Sequence, residues 1–339
     1  MIRVAFTSCS DPMDDPEQGV WNLIAAQKPD HLVLLGDQIY MDYGNFLVHS
    51  NNPRLGKPAE MTNADFAAAM HERYLRQWGI MQASRLIELK ALRIHGIWDD
   101  HDFAWNNSYG DSGSNRSGEP ASKRDPVSRD KQAISRRLMR DFFAALQSAS
   151  PSYPLNPFIG NAVPPAEDLT LPMYCACPPG SASIPLGQGV KLLLTDGRTF
   201  RTRTNMDAAT VFGAQQWDWL ANELNAVDVI LLACGSTLDH GGTPLDLYGD
   251  YEKLVTLSQK KDAKLLCLTG DVHKIDWRNK HGGRIFEAVA SGAARTKFGT
   301  SGAYGLAEIS DTDVSIRLYE NSLDPTSRHS IGRDTWQEH

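Results

Sequence analysis

Short apolar runs alternate along the chain with segments whose apolar residues recur every three or four positions. The runs predict buried strands, and the periodic segments predict helices at residues 19–27, from 62, from 128, at 213–224 and at 251–260. This alternation is typical of βαβ units with a largely parallel sheet. After residue 271 the pattern changes to short strands near 285–289, 306–309 and 314–318, which can pair antiparallel.

Six of the apolar runs stop at residues that can bind a metal ion. In open α/β sheets, ligands bind outside the carboxyl ends of the strands. Six endings with this chemistry therefore predict a single polynuclear metal site. The endings are Ser8-Cys9-Ser10, Gly36-Asp37-Gln38-Ile39-Tyr40, Asp99-Asp100-His101-Asp102, Asp196-Gly197-Arg198, Cys234-Gly235 and Gly270-Asp271-Val272-His273.

Three of these endings place carboxylates where neighbouring strands would bring them to one sheet edge: Asp37, Asp100 and Asp271. Two carboxylates about 4 Å apart repel by roughly 4 kcal/mol at an effective dielectric near 20. Three such pairs exceed what a domain stable by about 5–15 kcal/mol easily tolerates. Either the protons stay on or cations lie between the carboxylates, and cations are the simpler solution. A bridging Asp37 would suit a two-metal centre.

The spacing Asp37-x-x-Tyr40 bears on the identity of the metal. A phenol with a reference pKa near 10 binds only a strongly acidic cation at neutral pH. Together with a Cys9 thiolate, this favours ferric iron over calcium or magnesium. The oxygen-rich positions suit calcium, magnesium or manganese. His101 could protonate a leaving oxygen as general acid, and Arg198 could clamp a phosphate oxygen.

Composition narrows the class of protein. No run approaches the roughly 20 apolar residues that span a bilayer, and the strand pattern begins at the amino terminus, where a signal peptide would lie. The net charge of −7 argues against nucleic-acid binding through bulk electrostatics. Five cysteines without a CxxC pair favour a reducing compartment. We expect a soluble cytoplasmic enzyme, and the sequence does not indicate its oligomeric state.

Two segments interrupt the strand–helix rhythm. Residues 104–127, rich in Asn, Ser, Gly and Asp, predict a flexible loop that could act as a lid over the acidic cluster. Residues 150–189 hold nine of the 18 prolines, which predicts an ordered cover without regular helix or sheet. Neither marks a domain boundary, so we predict one catalytic domain over residues 1–339.

The ordered set of strand endings, with Trp98 before Asp99, resembles the alkaline phosphatase D-like (PhoD-like) metallophosphatases of the calcineurin-like metallophosphoesterase superfamily. The D-x-x-Y element also resembles purple acid phosphatases. The resemblance covers roughly residues 3–289. It implies an α/β fold, a four-layer α/β/β/α sandwich of two mixed sheets flanked by helices. It also implies metal-activated hydroxide attack on small-molecule phosphodiesters or phosphomonoesters at an Fe³⁺–Ca²⁺-type centre, with Mn²⁺, Mg²⁺ or Zn²⁺ as alternatives.

The resemblance also implies roles for individual metal ligands. Asp37 would bridge the metals, with Tyr40 and Cys9 on the ferric ion. Asp271 would be a ligand where the wider superfamily has a histidine. Asp100 falls where the superfamily's GNH motif has a metal-binding asparagine.

The resemblance also concerns three further residues around the metals. His101 would be the acid or transition-state stabiliser, and His273 either a ligand or a phosphate contact. Arg198 lies in Asp196-Gly197-Arg198, which replaces the more usual Asp-Thr-Arg.

Two other functions fit parts of the sequence. A protein of the same fold could bind phosphate esters without turnover, although His101 and Arg198 argue for catalysis. Gly110-Asp111-Ser112-Gly113 resembles the nucleophile loop of trypsin-like serine proteases, but the chain lacks the matching His and Asp context. His240, in a Gly-rich loop, is either a substrate contact or an ordinary turn residue.

Overall fold

Two mixed β-sheets lie at the centre of the computed structural model, which describes residues 1–42, 57–111, 126–148, 152–159, 181–204, 208–226, 228–280, 283–295 and 300–339. The strands are β1 (Ile2–Thr7), β2 (His31–Leu35), β3 (Arg93–Ile97), β4 (Ala182–Gly187), β5 (Val190–Leu194), β6 (Val229–Cys234), β7 (Lys264–Thr269), β8 (Ile275–Lys280), β9 (Ile285–Ala290), β10 (Ala294–Arg295), β11 (Thr300–Ser301), β12 (Ala303–Ile309), β13 (Asp313–Glu320), β14 (Ser327–Gly332) and β15 (Gln337–Glu338).

Apart from the short α3, which the sequence did not predict, the α-helices lie close to their predicted positions. They are α1 (Val20–Ala26), α2 (Asn63–Ala83), α3 (Asp100–Phe103), α4 (Arg129–Gln147), α5 (Gly213–Glu223) and α6 (Asp250–Lys261). Helices α2 and α4 begin where the sequence predicts, because the hydroxyls of Thr62 and Ser128 accept hydrogen bonds from the amides of Asp65 and Lys131. No helix in the described part of the chain combines the length and the apolar character needed to cross a membrane.

The strands form two large sheets and one short ribbon. The first sheet has the order β15-β14-β13-β12-β1-β2-β3, with β1, β2 and β3 parallel and the remaining pairs antiparallel. The second has the order β4-β5-β6-β7-β9-β8, with β5, β6, β7 and β9 parallel. Strands β10 and β11 form a separate ribbon.

Successive side chains of a strand point to opposite faces of its sheet. Both faces of each sheet are therefore packed, and the fold has four layers. Val4 and Phe6 of β1 pack between the sheets, against residues such as Leu192 and Leu266 of the second sheet. Ala5, which points to the opposite face, packs with α1, α2 and α4. The outer face of the second sheet packs against α5 and α6. The predicted α/β/β/α sandwich of two mixed sheets is confirmed.

The structure corrects three local predictions. The strands do not form one largely parallel sheet, since two sheets share them. Strand β9 pairs parallel with β7 and antiparallel only with β8, whereas β12 and β13 are antiparallel as expected. Residues 182–187 of the predicted irregular cover form strand β4 despite Pro185, because β4 is an edge strand, where a missing N–H is tolerated.

The two unusual segments are only partly described. Residues 104–111 of the predicted loop are ordered around the site, with Trp105 and Ser108 fully buried. Residues 112–125, which include the Ser112 of the protease-like motif, and residues 160–180 of the predicted cover lie outside the described part of the chain.

Candidate metal centre

The candidate centre lies where the carboxyl ends of both sheets meet. Asp37 and Asp100 follow β2 and β3 of the first sheet, and Asp271 follows β7 of the second. The three carboxylates therefore converge as predicted, but from two packed sheets rather than along a single sheet edge. Their oxygen atoms, together with one of Asp99, all lie within 4.8 Å of one another.

Four of the candidate ligands share an unusual backbone conformation. Cys9, Asp37, Asp271 and His273 have φ angles of 62°, 56°, 69° and 50°. Such left-handed conformations are unfavourable for non-glycine residues and concentrate at functional sites. Gly36 precedes Asp37 with a φ of 100°, and a Cβ added there would lie 2.5 Å from the Cβ of Asp99. The turn after β2 is thus packed directly against the turn after β3.

Asp102 holds these two turns together. One carboxylate oxygen accepts hydrogen bonds from the amides of Asp37 (2.5 Å) and Asp99 (3.0 Å). The other accepts from the amides of Gln38 (2.8 Å) and Ile39 (3.2 Å). Asp102 is completely buried, and its carboxyl group acts as a structural acceptor for these four amides.

The electrostatics of the four clustered carboxylates favour a bound cation. Burial, followed by the nearby Cys9 and Asp100, raises the pKa of Asp37 well above its usual range. Burial and the carboxylates of Asp99 and Asp100 raise the pKa of Asp271 to about 7. Buried oxygens Oδ2 of Asp99 and Oδ1 of Asp100 have no hydrogen-bond partner among the described residues. Unsatisfied, mutually repelling oxygens of this kind are a donor set that hard divalent cations fit.

A second, mixed donor set surrounds the other side of Asp37. Its Oδ2 atom lies 3.5 Å from the Cys9 sulfur and accepts a hydrogen bond from the Tyr40 hydroxyl at 3.2 Å. The Tyr40 oxygen is in turn 3.3 Å from Nε2 of His273. Ser291 donates to the Cys9 sulfur at 3.2 Å. Thiol, phenol, carboxylate and imidazole are thus gathered at one point, and Asp37 belongs to both donor sets.

His101 lies beside the carboxylates with its two ring nitrogens in different surroundings. Nδ1 is 2.6 Å from Oδ1 of Asp42, and Nε2 is 3.9 Å from Oδ1 of Asp100. Burial alone would lower the pKa of His101, but the charges of Asp100 and Asp42 outweigh it and raise this pKa to about 9. The Tyr40 ring packs against the imidazole with centroids 4.1 Å apart. The ring is therefore held in place and favours its protonated form.

Arg198 reaches the site from the second sheet and is fully buried. Its Nε and Nη2 atoms lie 2.6 Å and 2.5 Å from Oδ1 of Asp99, and Nη2 is 4.0 Å from Asp100. Asp196, the second residue after the end of β5, holds the turn that carries Arg198.

 Oδ1 of Asp196 accepts hydrogen bonds from the amides of Arg198 (3.0 Å) and Thr199 (2.9 Å). The guanidinium contacts the carboxylates of Asp99 and Asp100. Its predicted contact with a phosphate oxygen stays a prediction.

The structure brings together the predicted ligands Cys9, Asp37, Tyr40, Asp100, Asp271 and His273, with His101 and Arg198 beside them. Sequence reasoning missed Asp42, because no strand ends at this residue and only its distance from His101 in space reveals it. Asp99 also lies in the carboxylate cluster, where it pairs with Arg198. Spacing alone does not distinguish Asp99 from Asp100.

A model of the PhoD-like phosphatase family matches residues 4–229, well over half of the chain. The chain belongs to the PhoD-like phosphatase family. Membership of this family indicates a hydrolase of the phosphatase type, and the acidic clusters indicate a metal-binding site. No curated protein sequence matches the chain significantly.

Two solved structures share the fold of this PhoD-like protein. The structure of PhoD is similar with a TM-score of 0.62 at 16% sequence identity, over 100% of this chain and 71% of that chain. A dimetal phosphatase from Danio rerio is similar with a TM-score of 0.55 at 10% identity, over 98% of both chains. At such identities the likeness establishes the fold, and the chemistry has to be argued from the residues of this chain.

Proposed function

We propose that this protein is a metal-dependent phosphoesterase that hydrolyses small-molecule phosphodiesters, phosphomonoesters or both. The observation that carries the proposal is the position of Asp37, which belongs both to the carboxylate cluster and to the Cys9–Tyr40–His273 donor set. Bound ions would neutralise these carboxylates and polarise the phosphoryl group of a substrate.

The two donor sets suit different ions. Cys9, Tyr40 and His273, together with Asp37, offer the softer and phenolic donors that favour ferric iron. Asp37, Asp99, Asp100 and Asp271 offer only oxygens, which suit Ca²⁺, with Mn²⁺, Mg²⁺ or Zn²⁺ as alternatives.

His101 is the residue that we propose to deliver a proton. Asp42 holds the proton on Nδ1, so that Nε2 presents its own proton toward the carboxylate cluster, where a leaving oxygen would depart. Arg198 fixes Asp99 and lies beside Asp100, so it positions ligands, whatever further contact it makes with a substrate.

The activity can be tested with a bis-aryl phosphate diester and the corresponding aryl monoester. We expect the metal-loaded protein to hydrolyse at least one of them and Asp37→Asn to lose most of this turnover. Asp30→Asn is the matched control, because Asp30 is an exposed carboxylate that accepts a hydrogen bond from the Arg3 amide. Full activity in folded Asp37→Asn protein would refute the assignment. Tight binding of the ester without turnover would instead support the alternative, a protein of the same fold that binds phosphate esters without hydrolysing them.

The iron assignment has a separate spectroscopic test. A phenolate bound to ferric iron absorbs visible light by charge transfer, so the iron-loaded protein should be violet to brown. Tyr40→Phe should lose the band while the protein stays folded. Colourless protein that contains stoichiometric iron would rule out Tyr40 as a ligand.

A further inference from the structure

A second group of ligating side chains shares no residue with the proposed centre. Asp239 and His240 lie in the loop after β6, and Glu287 lies on β9. One ligand atom from each lies within 4.8 Å of the other two. Three ligating residues near one another do not by themselves indicate a bound ion. The hydrogen bonds of the buried Glu287 carboxylate show whether a partner is missing here.

Glu287 has one satisfied and one unsatisfied oxygen. Its side chain is completely buried, and Oε1 accepts hydrogen bonds from the Leu238 amide (2.8 Å) and the Thr269 hydroxyl (3.0 Å). Oε2 is buried without a hydrogen bond and lies 3.7 Å from Nδ1 of His240. Leaving such an oxygen unsatisfied is costly. It therefore points to a missing partner between Glu287 and His240.

The spacing of the three groups fits ligands around one ion. Nδ1 of His240 is 3.4 Å from Oδ1 of Asp239 and 3.7 Å from Oε2 of Glu287. Ligands bound to Zn²⁺ at about 2.0–2.2 Å in a tetrahedral site lie roughly 3.3–3.6 Å from one another. The other ring nitrogen, Nε2, is 3.8 Å from Oδ2 of Asp276. This distance is too long for a hydrogen bond, so Nε2 is without one among the described residues.

The charges around the group leave room for a cation. Lys274 and Arg278 both pair with Asp276, and Arg278 also lies 3.5 Å from Asp239. In the described part of the chain, the only ion-pair partner of Glu287 is His240. Burial raises the pKa of Glu287 to about 7. A divalent ion would satisfy this carboxylate where the basic side chains do not.

We propose that Asp239, His240 and Glu287 bind a divalent transition-metal ion of the Zn²⁺ type. The ion would fix the loop after β6, which carries Asp239 and His240, against Glu287 of β9. Gly241, in the same loop, has a φ of 91°, and a Cβ added there would lie 2.2 Å from Val272 Cγ1. The loop is therefore already in close contact with the neighbour of a proposed metal ligand. The proposal does not depend on the activity of that centre.

The test compares Zn²⁺ binding by the full chain with binding by His240→Gln and Glu287→Gln. Glu287→Gln keeps an oxygen for Leu238 and Thr269. His329→Gln is the control, since His329 also lies near a carboxylate, 2.9 Å from Glu338, outside the proposed site. Mass spectrometry of the metal content should show that each site variant binds one Zn²⁺ per chain fewer than the wild type and His329→Gln.

Diffraction from Zn²⁺-soaked wild-type crystals provides the second measurement. Data at the zinc absorption edge should show an anomalous peak between Asp239, His240 and Glu287. This measurement does not require the variants to fold. Equal zinc content in all folded variants, or an ordered loop without an anomalous peak, would overturn the proposal.

Discussion

Asp102→Asn should destabilise the protein strongly, because each oxygen of Asp102 accepts hydrogen bonds from two backbone amides. Asparagine keeps one acceptor oxygen and turns an NH₂ group toward the other two amides. A buried donor without a partner costs about 1–3 kcal/mol. Two such donors predict a loss of about 4 kcal/mol, a large part of the roughly 5–15 kcal/mol that stabilises a typical domain. For a chain of this length, this corresponds to about 6 °C in the melting temperature.

The assay is chemical denaturation in the presence of a chelator, so that differences in metal binding do not contribute to the free energy of unfolding. Asp30→Asn makes the same chemical change at an exposed carboxylate that accepts one hydrogen bond from a backbone amide. We expect it to cost less than about 1 kcal/mol. If Asp102→Asn were no more destabilising than Asp30→Asn, the account of the two joined turns would be wrong.

Three further predictions concern other parts of the molecule. Burial, then His31, lowers the pKa of His95 to about 4; since unfolded histidine titrates near 6.5, stability should be full above about pH 6.5 and fall by up to about 3 kcal/mol toward pH 4. His95→Gln should flatten this loss in denaturation curves, and an unchanged slope would contradict the assignment. Asp42→Asn should lower kcat roughly 10- to 100-fold at unchanged metal content, because proton transfer by a positioned group typically contributes about 10²–10⁴-fold; kcat within twofold of wild type would count against it. Gly36→Ala should lower the melting temperature by several degrees, and an unchanged melting curve would refute the close packing of its turn.

The sequence predicted the elements of this fold better than their assembly. Apolar runs and helix caps are local signals, so the strands before Asp37 and Asp271 and the helix start at Thr62 lie where expected. The division into two sheets is a long-range property, and no local pattern shows that β7 belongs to a different sheet from β2. Strand β4 was missed because proline is unfavourable in central strands but tolerated at an edge.

The candidate site shows the same limit. The ligand types and their order along the chain were readable, because each follows a strand. The partners that hold them were not: Asp42 and Asp102 act through contacts with residues more than fifty positions away. The burial of Arg198 against Asp99 likewise depends on the packing of the two sheets. Such contacts decide whether a charged residue is free to meet a substrate.

The most direct test of the central claim measures metal content and ester hydrolysis on the same sample. Purified protein would be assayed with a bis-aryl phosphate diester and an aryl monoester as isolated, after removal of metals by a chelator, and after iron and calcium are restored. We predict that turnover disappears with the metals and returns with them. Undiminished turnover in metal-free protein, or no turnover of either ester in folded protein shown to hold its metals, would contradict the account.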